Sequence, residues 1–472
     1  MPLSGWPALP TELRLQILDE LEKQLSPASN HYVRAWASVS KEWRPYFEPL
    51  LWQTLHFRSS ASESGFGGLR EIMADHRRGL VRKISLHVDL ASHHTCEGCD
   101  RPESEETKEA NNARFSDAMG GLFRVLSSWP SHDDDDDDGP GGGIALELSA
   151  SSPSDARHPS SSPEEHERRV GGRSRSPGHS LAGVEQQQRL LGRNGHLTFV
   201  WPSAGGTGLT PVPAVRSFAV SRKLCRAISP ASMGHILDRL PNLHDVYYES
   251  GRGVGDRDLY NAVNVNTLMF EASRHPAVRR FSMWLASMHE SDAPVWTSDA
   301  SRTAVEAVWS GYRLRELAVS HAMEADHFFL SLRYFSALQG NTIEIEHLAL
   351  TYSFRKLALD PAEAAYLLGK AAEAALQMPR IRILEVWAAG GAVGKGFFFR
   401  YQVKENQVKL TVGATWDVPL SHAVLLRWER VANRHHPALT LQSVSQRIDP
   451  AVLTTPESIC TQLELYHLIR QW

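Results

Sequence analysis

The sequence predicts an α/β protein: a short N-terminal helical segment, then an irregular solenoid of strands and helices with a parallel sheet, then a C-terminal cap. Three observations predict it. A short apolar pattern recurs seven times along the 472 residues, helical faces fall between its copies, and the residues from 396 onward break the rhythm.

The pattern is an apolar residue, two of any kind, an apolar, one of any kind, an apolar. It occurs as Val81-x-x-Ile84-x-Leu86, Val215-x-x-Phe218-x-Val220, Leu243-x-x-Val246-x-Tyr248 and Val278-x-x-Phe281-x-Met283. It returns as Leu314-x-x-Leu317-x-Val319, Ile345-x-x-Leu348-x-Leu350 and Ile381-x-x-Leu384-x-Val386. From Phe218 onward the central residues are 28, 35, 36, 31 and 36 apart. The period-2 tail of each copy reads as a short strand with one buried face. Between copies lie helical faces: Met233, Ile236, Leu237 and Leu240; Phe328, Leu332 and Phe335; Ala365, Leu368, Ala372 and Leu376. Pro361 suits the first position of the last of these helices. A strand and a helix repeating at such spacing is the signature of a solenoid with a parallel sheet. It loosely resembles leucine-rich repeats, without that family's asparagine and with more than its roughly 20–29 residues per repeat. An ordinary α/β domain with evenly spaced strands is the alternative.

The N-terminal segment carries a different pattern. Thr11 is a candidate N-cap, and Leu13, Ile17, Leu18 and Leu21 follow on one helical face. Val33, Trp36 and Val39 continue after a break at Pro27, and Leu51-Trp52 closes the segment. About 50 residues cannot bury this much apolar surface internally, so a partner is implied. The blocks Leu9-Pro10-x-x-Leu13-x-x-x-Ile17-Leu18-x-x-Leu21, Val39-Ser40-Lys41-x-Trp43 and Leu51-Trp52 resemble an F-box, in the flavour of F-box proteins of filamentous fungi. The resemblance covers residues 6–57. It implies a three-helix segment that docks on the Skp adaptor of a cullin–RING ubiquitin ligase. The adaptor-facing positions it implies are Leu9, Pro10, Leu13, Ile17, Leu18, Leu21, Val39, Trp43 and Trp52. The stretch from Gln24 to Asn30 is longer and more polar than the family pattern. The bland alternative is a helical cap on the rest of the chain.

The remaining regions divide by composition. Residues 58–130 start the repeats and include an amphipathic helix through Phe115, Met119, Leu122 and Leu126. Residues 131–195 form an insert with six consecutive aspartates, Asp133 to Asp138, then a candidate strand at Ile144–Leu148. From 149 to 193 bulky apolar residues nearly vanish, so burial cannot offset the entropy of ordering and the stretch reads as disordered. The repeats resume over 196–395. From 396 to 472 a hairpin turning at Glu405-Asn406 and two helical stretches, the last with Ile459, Leu463, Tyr466 and Ile469 on one side, read as a cap.

Composition bounds the function. Apolar residues are 42%, charged residues 22%, and the net charge is −4; the six aspartates supply −6, so the rest of the chain sits near +2. No basic bias points to nucleic acid, and no apolar run is long enough to span a membrane. Four cysteines make no disulfide framework, which places the chain in a reducing compartment, cytoplasmic or nuclear.

Catalytic and metal motifs fail in detail. His93-His94-x-Cys96-x-x-Cys99 offers zinc ligands without a second pair at a set distance, which leaves a polar loop as the simpler reading. Gly390 to Lys395 imitates a phosphate loop, yet three residues separate Gly390 from Gly394, Gly396 replaces the Ser or Thr, and a strand follows. Ser180 has no nucleophile elbow around it, and the aspartate run lacks calcium-loop spacing. The expectation is therefore a non-enzyme without metal or cofactor.

In a leucine-rich-repeat-like strand the residues between buried positions line the concave face. Here these include Tyr247, Glu249, Trp284, Ser320, Thr351, Glu385 and Trp387, a candidate surface for a protein target. Trp284 and Trp387 could equally pack against neighbouring loops or the cap. The function these readings imply is a substrate receptor: the F-box recruits Skp and the cullin–RING core, and the solenoid presents the target. A Skp-binding scaffold acting outside a ligase is the alternative.

Overall fold

The computed structural model describes residues 6, 9–23, 30–59, 66, 73, 75–92, 104–130, 143–153, 197–200, 208–221, 228–249, 259–285, 298–339, 342–360, 362–390 and 394–469. The His93–Cys99 motif, the aspartate run and residues 154–193 lie outside them.

Three helices open the chain: α1 (Thr11–Lys23), α2 (Asn30–Ala37) and α3 (Arg44–Trp52). Their shared core is small: Leu18, Val33, Ala37 and Phe47, ringed by Trp6, Trp36, Trp43 and Tyr46. Ring contacts knit it, with Trp6 and Trp43 centroids 5.1 Å apart and Trp36 and Phe47 5.2 Å apart. Glu42 ties the first helix to the α2–α3 turn by accepting from Trp6 Nε1 at 2.9 Å and from Arg14 at 2.5 Å. Thr11 is the first helical residue rather than the N-cap, since Arg14 N–H already donates to the Pro10 carbonyl.

One sheet of twelve strands comes next, and its strand order is the sequence order. The strands are β1 (Thr54–Ser59), β2 (Lys83–Asp89), β3 (Ile144–Ser151), β4 (Val215–Val220), β5 (Asp245–Glu249), β6 (Arg280–Trp284), β7 (Glu316–Ser320), β8 (His347–Thr351), β9 (Ile383–Ala389), β10 (Gly396–Lys404), β11 (Gln407–Ala414) and β12 (Thr440–Arg447). β1 through β9 are parallel, β10 is antiparallel to both neighbours, and β11 and β12 are parallel. The switch at β9–β10 follows from connection length: a short turn can only return antiparallel, whereas parallel neighbours need a crossover, usually a helix.

The recurring apolar pattern is the register of this sheet. Ile84, Leu146, Phe218, Val246, Phe281, Leu317, Leu348 and Leu384 pair in one unbroken row across eight strands. Every member is at most 2% exposed. A single-turn helix, α4 (Asp75–Arg78), precedes β2, and the row faces helices α5 (Glu105–Leu126), α6 (Pro230–Leu237), α7 (Leu259–Arg274), α8 (Ser298–Ser310), α9 (Ala325–Gln339), α10 (Phe354–Leu359), α11 (Glu363–Ala375) and α12 (His422–His435). Helices α6, α7, α8, α9, α11 and α12 pack each against the next.

Three boundaries differ from the sequence reading. The strand at Ile144, expected inside the insert, is an integral member of the sheet and pairs with both β2 and β4. Its copy of the pattern was hidden because Gly143 (φ 88°) stands where an apolar residue leads the others, and a bulge at Ile144/Ala145 lets Ile144 fill that place. The helical N-terminal unit ends before residue 57, because Thr54 already begins β1. At the other end β12 is an additional strand, and the described residues from 456 to 469 do not form one helix. Pro456–Gln462 is a 3₁₀ helix, and α13 is the single turn Tyr466–Ile469.

Candidate interaction surfaces

The N-terminal helices expose apolar side chains that their own core has no room for. Leu13 is 45% exposed, Ile17 40% and Val39 59%. Leu13 and Ile17 sit one turn apart and so share a stripe on α1, beside the face that buries Leu18. Of the other positions implied by the F-box resemblance, Pro10 is exposed and Leu9, Leu21, Trp43 and Trp52 are half-buried. Leu18 is only 2% exposed and belongs to the core of the unit. Trp43 packs between Trp6 and Phe47, and Trp52 lies under the Arg77 guanidinium at 4.8 Å. Leu15 and Tyr32, which the motif did not single out, are exposed as well.

The sheet face opposite the helix row is built by the residues between the buried ones. One of its rows is charged: Asp245, Arg280, Glu316 and His347 are register partners on four successive strands. Arg280 bridges Asp245 at 3.4 Å and donates to Glu316, and His347 meets Glu316 at 3.2 Å. Burial pushes the Glu316 carboxyl up, but its bonds to His347 and Arg280 prevail and hold it at about 2. Asp245 moves the other way: burial pushes it up, and Arg280 only partly offsets that.

The seven residues expected to present a target do lie together on this face, on β5 to β9. They are not open to solvent. Tyr247, Glu249, Trp284, Ser320, Thr351, Glu385 and Trp387 are all 7% exposed or less. The chain's own C-terminal segment covers the row from β6 to β10: Ile448, Leu453, Ile459, Cys460, Leu463, Leu465, Leu468 and Ile469 pack on Trp284, Ala318, Ala349, Trp387 and Phe398. Of the expected cap, β10 to β12 and α12 extend the sheet and the helix row at their end, whereas residues 448–469 lie across the sheet. The physical reason is the composition of the face. Small residues at Ala318 and Ala349 leave a trough between large aromatics, and an apolar segment fills it. Trp284 and Trp387 stack at 5.5 Å, with His321 edge-on to both at 5.1 Å. Burial lowers the His321 imidazole to about 4, so it is neutral there. Its φ of 62° is the one left-handed non-glycine backbone among the described residues.

A buried ion pair fastens the segment. Glu385, fully buried, accepts from Arg400 Nε at 2.5 Å, from Glu464 N–H at 3.0 Å and from Leu465 N–H at 2.9 Å. Arg400 also donates to the Gln462 carbonyl at 2.6 Å. Burial pushes the Glu385 carboxyl up, and Arg400 with the two backbone donors works against it. Sequence alone did not find Arg400, since a charged residue in a strand gives no sign of a partner 62 residues away.

Among the described residues no three His, Cys, Asp or Glu side chains converge as ligands of a metal ion, and no helix is long and apolar enough to cross a membrane. No curated protein matches the chain. Residues 268–470, which run from α7 through the C-terminal segment and leave out the N-terminal helices, are similar to the group described as "Family of unknown function (DUF6546)".

Proposed function

We propose that the protein is a substrate receptor of a Skp–cullin–F-box ubiquitin ligase. Residues 9–52 act as the F-box, and the strand–helix succession behind it acts as an irregular leucine-rich-repeat-like solenoid that holds a protein target. The observation that carries this reading is the exposed pair Leu13 and Ile17, with Val39, on a three-helix unit whose core holds four buried side chains among the described residues. Exposed apolar residues grouped on so small a unit fit a surface that a partner covers. The mechanism is proximity. A rigidly held target has a high effective concentration at the ubiquitin-conjugating enzyme, and this chain performs no chemistry. With its central sheet face occupied by residues 448–469, the receptor meets its target on surface outside that trough.

The test is affinity capture from cell extract with three baits: the full chain, a chain lacking residues 1–52 so that β1 is kept, and Leu13→Ala/Ile17→Ala. Truncating two side chains that are 45% and 40% exposed should change stability by about 1 kcal/mol at most. Skp and cullin should accompany the full chain alone. Undiminished Skp with the double variant, or none with the full chain, would refute the assignment. Skp without cullin would replace the ligase reading by that of a scaffold.

A further inference from the structure

The turn between β9 and β10, which imitates a phosphate loop in sequence, is shaped by packing. The Gly390 N–H donates to the Lys395 carbonyl at 3.0 Å and closes the turn. A Cβ at Gly390 would lie 2.6 Å from Lys395 Cβ and 3.3 Å from Phe354 Cε1. Gly394 has φ +82°, and a Cβ there would come within 3.3 Å of Pro450. Only glycine lets the backbone come this close, and the result is to set Lys395 at the mouth of an open cleft.

That cleft has a volume of about 480 Å³, within the roughly 300–1,000 Å³ of small-ligand sites. Phe354, Leu357, Ala364, Trp416 and Val418 wall it. Trp416 is held rigid, edge-on to Phe354 at 5.4 Å and stacked on Phe397 at 6.1 Å. Two charged residues stand at its rim. Asp417 is balanced by Arg447 at 2.7 Å. Lys395 is exposed and has no ion-pair partner among the described residues. The cleft therefore offers an apolar interior beneath one uncompensated positive charge. Leu359, next to the cleft-lining Ala358, is 73% exposed, and Val452, two residues past the cleft-lining Pro450, is 51% exposed. An extended ligand covers such flanking apolar surface, whereas a small one leaves it wet.

We propose that this cleft is where the receptor takes its target: a peptide segment that inserts a bulky apolar side chain and sets an adjacent carboxylate against Lys395. The inference rests on the receptor reading for its biological meaning. Its binding test does not involve the adaptor.

The test uses the full chain and fluorescence polarisation at low salt. The labelled probes are Glu-Glu-Trp-Glu-Glu, its Gln-Gln-Trp-Gln-Gln and Lys-Lys-Trp-Lys-Lys counterparts, and Glu-Glu-Ala-Glu-Glu. The acidic tryptophan peptide should bind tightest, about fivefold or more above the basic one, and the alanine peptide should not bind. Lys395→Glu should reverse the charge order, and Ala358→Glu, at an exposed position on the cleft wall, should abolish binding of all four. Unchanged charge order in Lys395→Glu, or binding that does not depend on tryptophan, would overturn the proposal. So would failure of every peptide beside saturable, Ala358→Glu-sensitive binding of anilinonaphthalene sulfonate, which would assign the cleft to a small anion instead. Peptide binding without adaptor capture would leave the cleft assigned and remove the receptor reading. Adaptor capture without peptide binding would do the reverse.

Discussion

Replacing Arg400 by methionine isolates the clasp that holds the C-terminal segment on the sheet. The Arg400 side chain is 11% exposed and its partner Glu385 is fully buried. Methionine keeps most of the aliphatic stem, so the change removes charge more than volume. It leaves a buried carboxylate with only the Glu464 and Leu465 N–H donors, and breaking one side of a buried pair costs about 3–5 kcal/mol. The Gln462 carbonyl also loses its donor, about 1 kcal/mol. Because burial already pushes the Glu385 carboxyl up, the variant can escape part of the cost by taking a proton, so its deficit should shrink as the pH falls. Glu385→Gln in the Arg400→Met background removes the stranded charge and should restore about 1–3 kcal/mol. Urea unfolding followed by tryptophan emission gives the stabilities, because Trp284 and Trp387 lie directly beneath the segment. Hydrogen exchange at the amides of Glu464 and Leu465 reports the clasp itself. A cost below about 1 kcal/mol for Arg400→Met, or a double variant no more stable than the single one, would refute the argument.

Two further outcomes follow from the same geometry. Glu316 is held at about 2 against an ordinary 4.5, so its contribution is complete above about pH 4.5 and is lost as the pH falls through 2; the size is about 3 kcal/mol. Acid denaturation of Glu316→Gln should accordingly lack that part of the decline, and parallel acid limbs in the two proteins would exclude it. Phe47 is fully buried at the centre of the N-terminal unit, so Phe47→Ala should cost about 3–5 kcal/mol there. With so few buried side chains the unit should then unfold alone, exposing residues 11–52 to trypsin while the sheet keeps its urea transition. A single shifted transition for the whole chain would show that unit and sheet fold together.

Much of the architecture was legible. The apolar pattern located seven of the parallel strands, and the helical faces at Phe115, Met233, Phe328 and Ala365 each proved to be a helix packed on them. Local periodicity carries such information, because a strand with one buried face must alternate and a helix must repeat every three or four residues. The copy at Leu146 escaped because a glycine and a bulge break the periodicity where the backbone bends. Helices α7 and α8 were not singled out, and β12 gives little signal because nearly all of its side chains are exposed.

The sequence by itself determined the strand–helix alternation, the apolar row that sets the register and the surplus of apolar residues on the N-terminal helices. Each depends on neighbours along the chain. Tertiary structure alone decided which face of the sheet stays open. The residues at Trp284, Glu385 and Trp387 have the pattern of a solvent-facing row, and they are buried because residues 448–469 return to them from far along the chain. Likewise Lys395 comes to stand over an apolar cleft only when α10, α11 and the turn after β11 are brought around it. Such juxtapositions join segments with no local pattern in common, so periodicity cannot announce them.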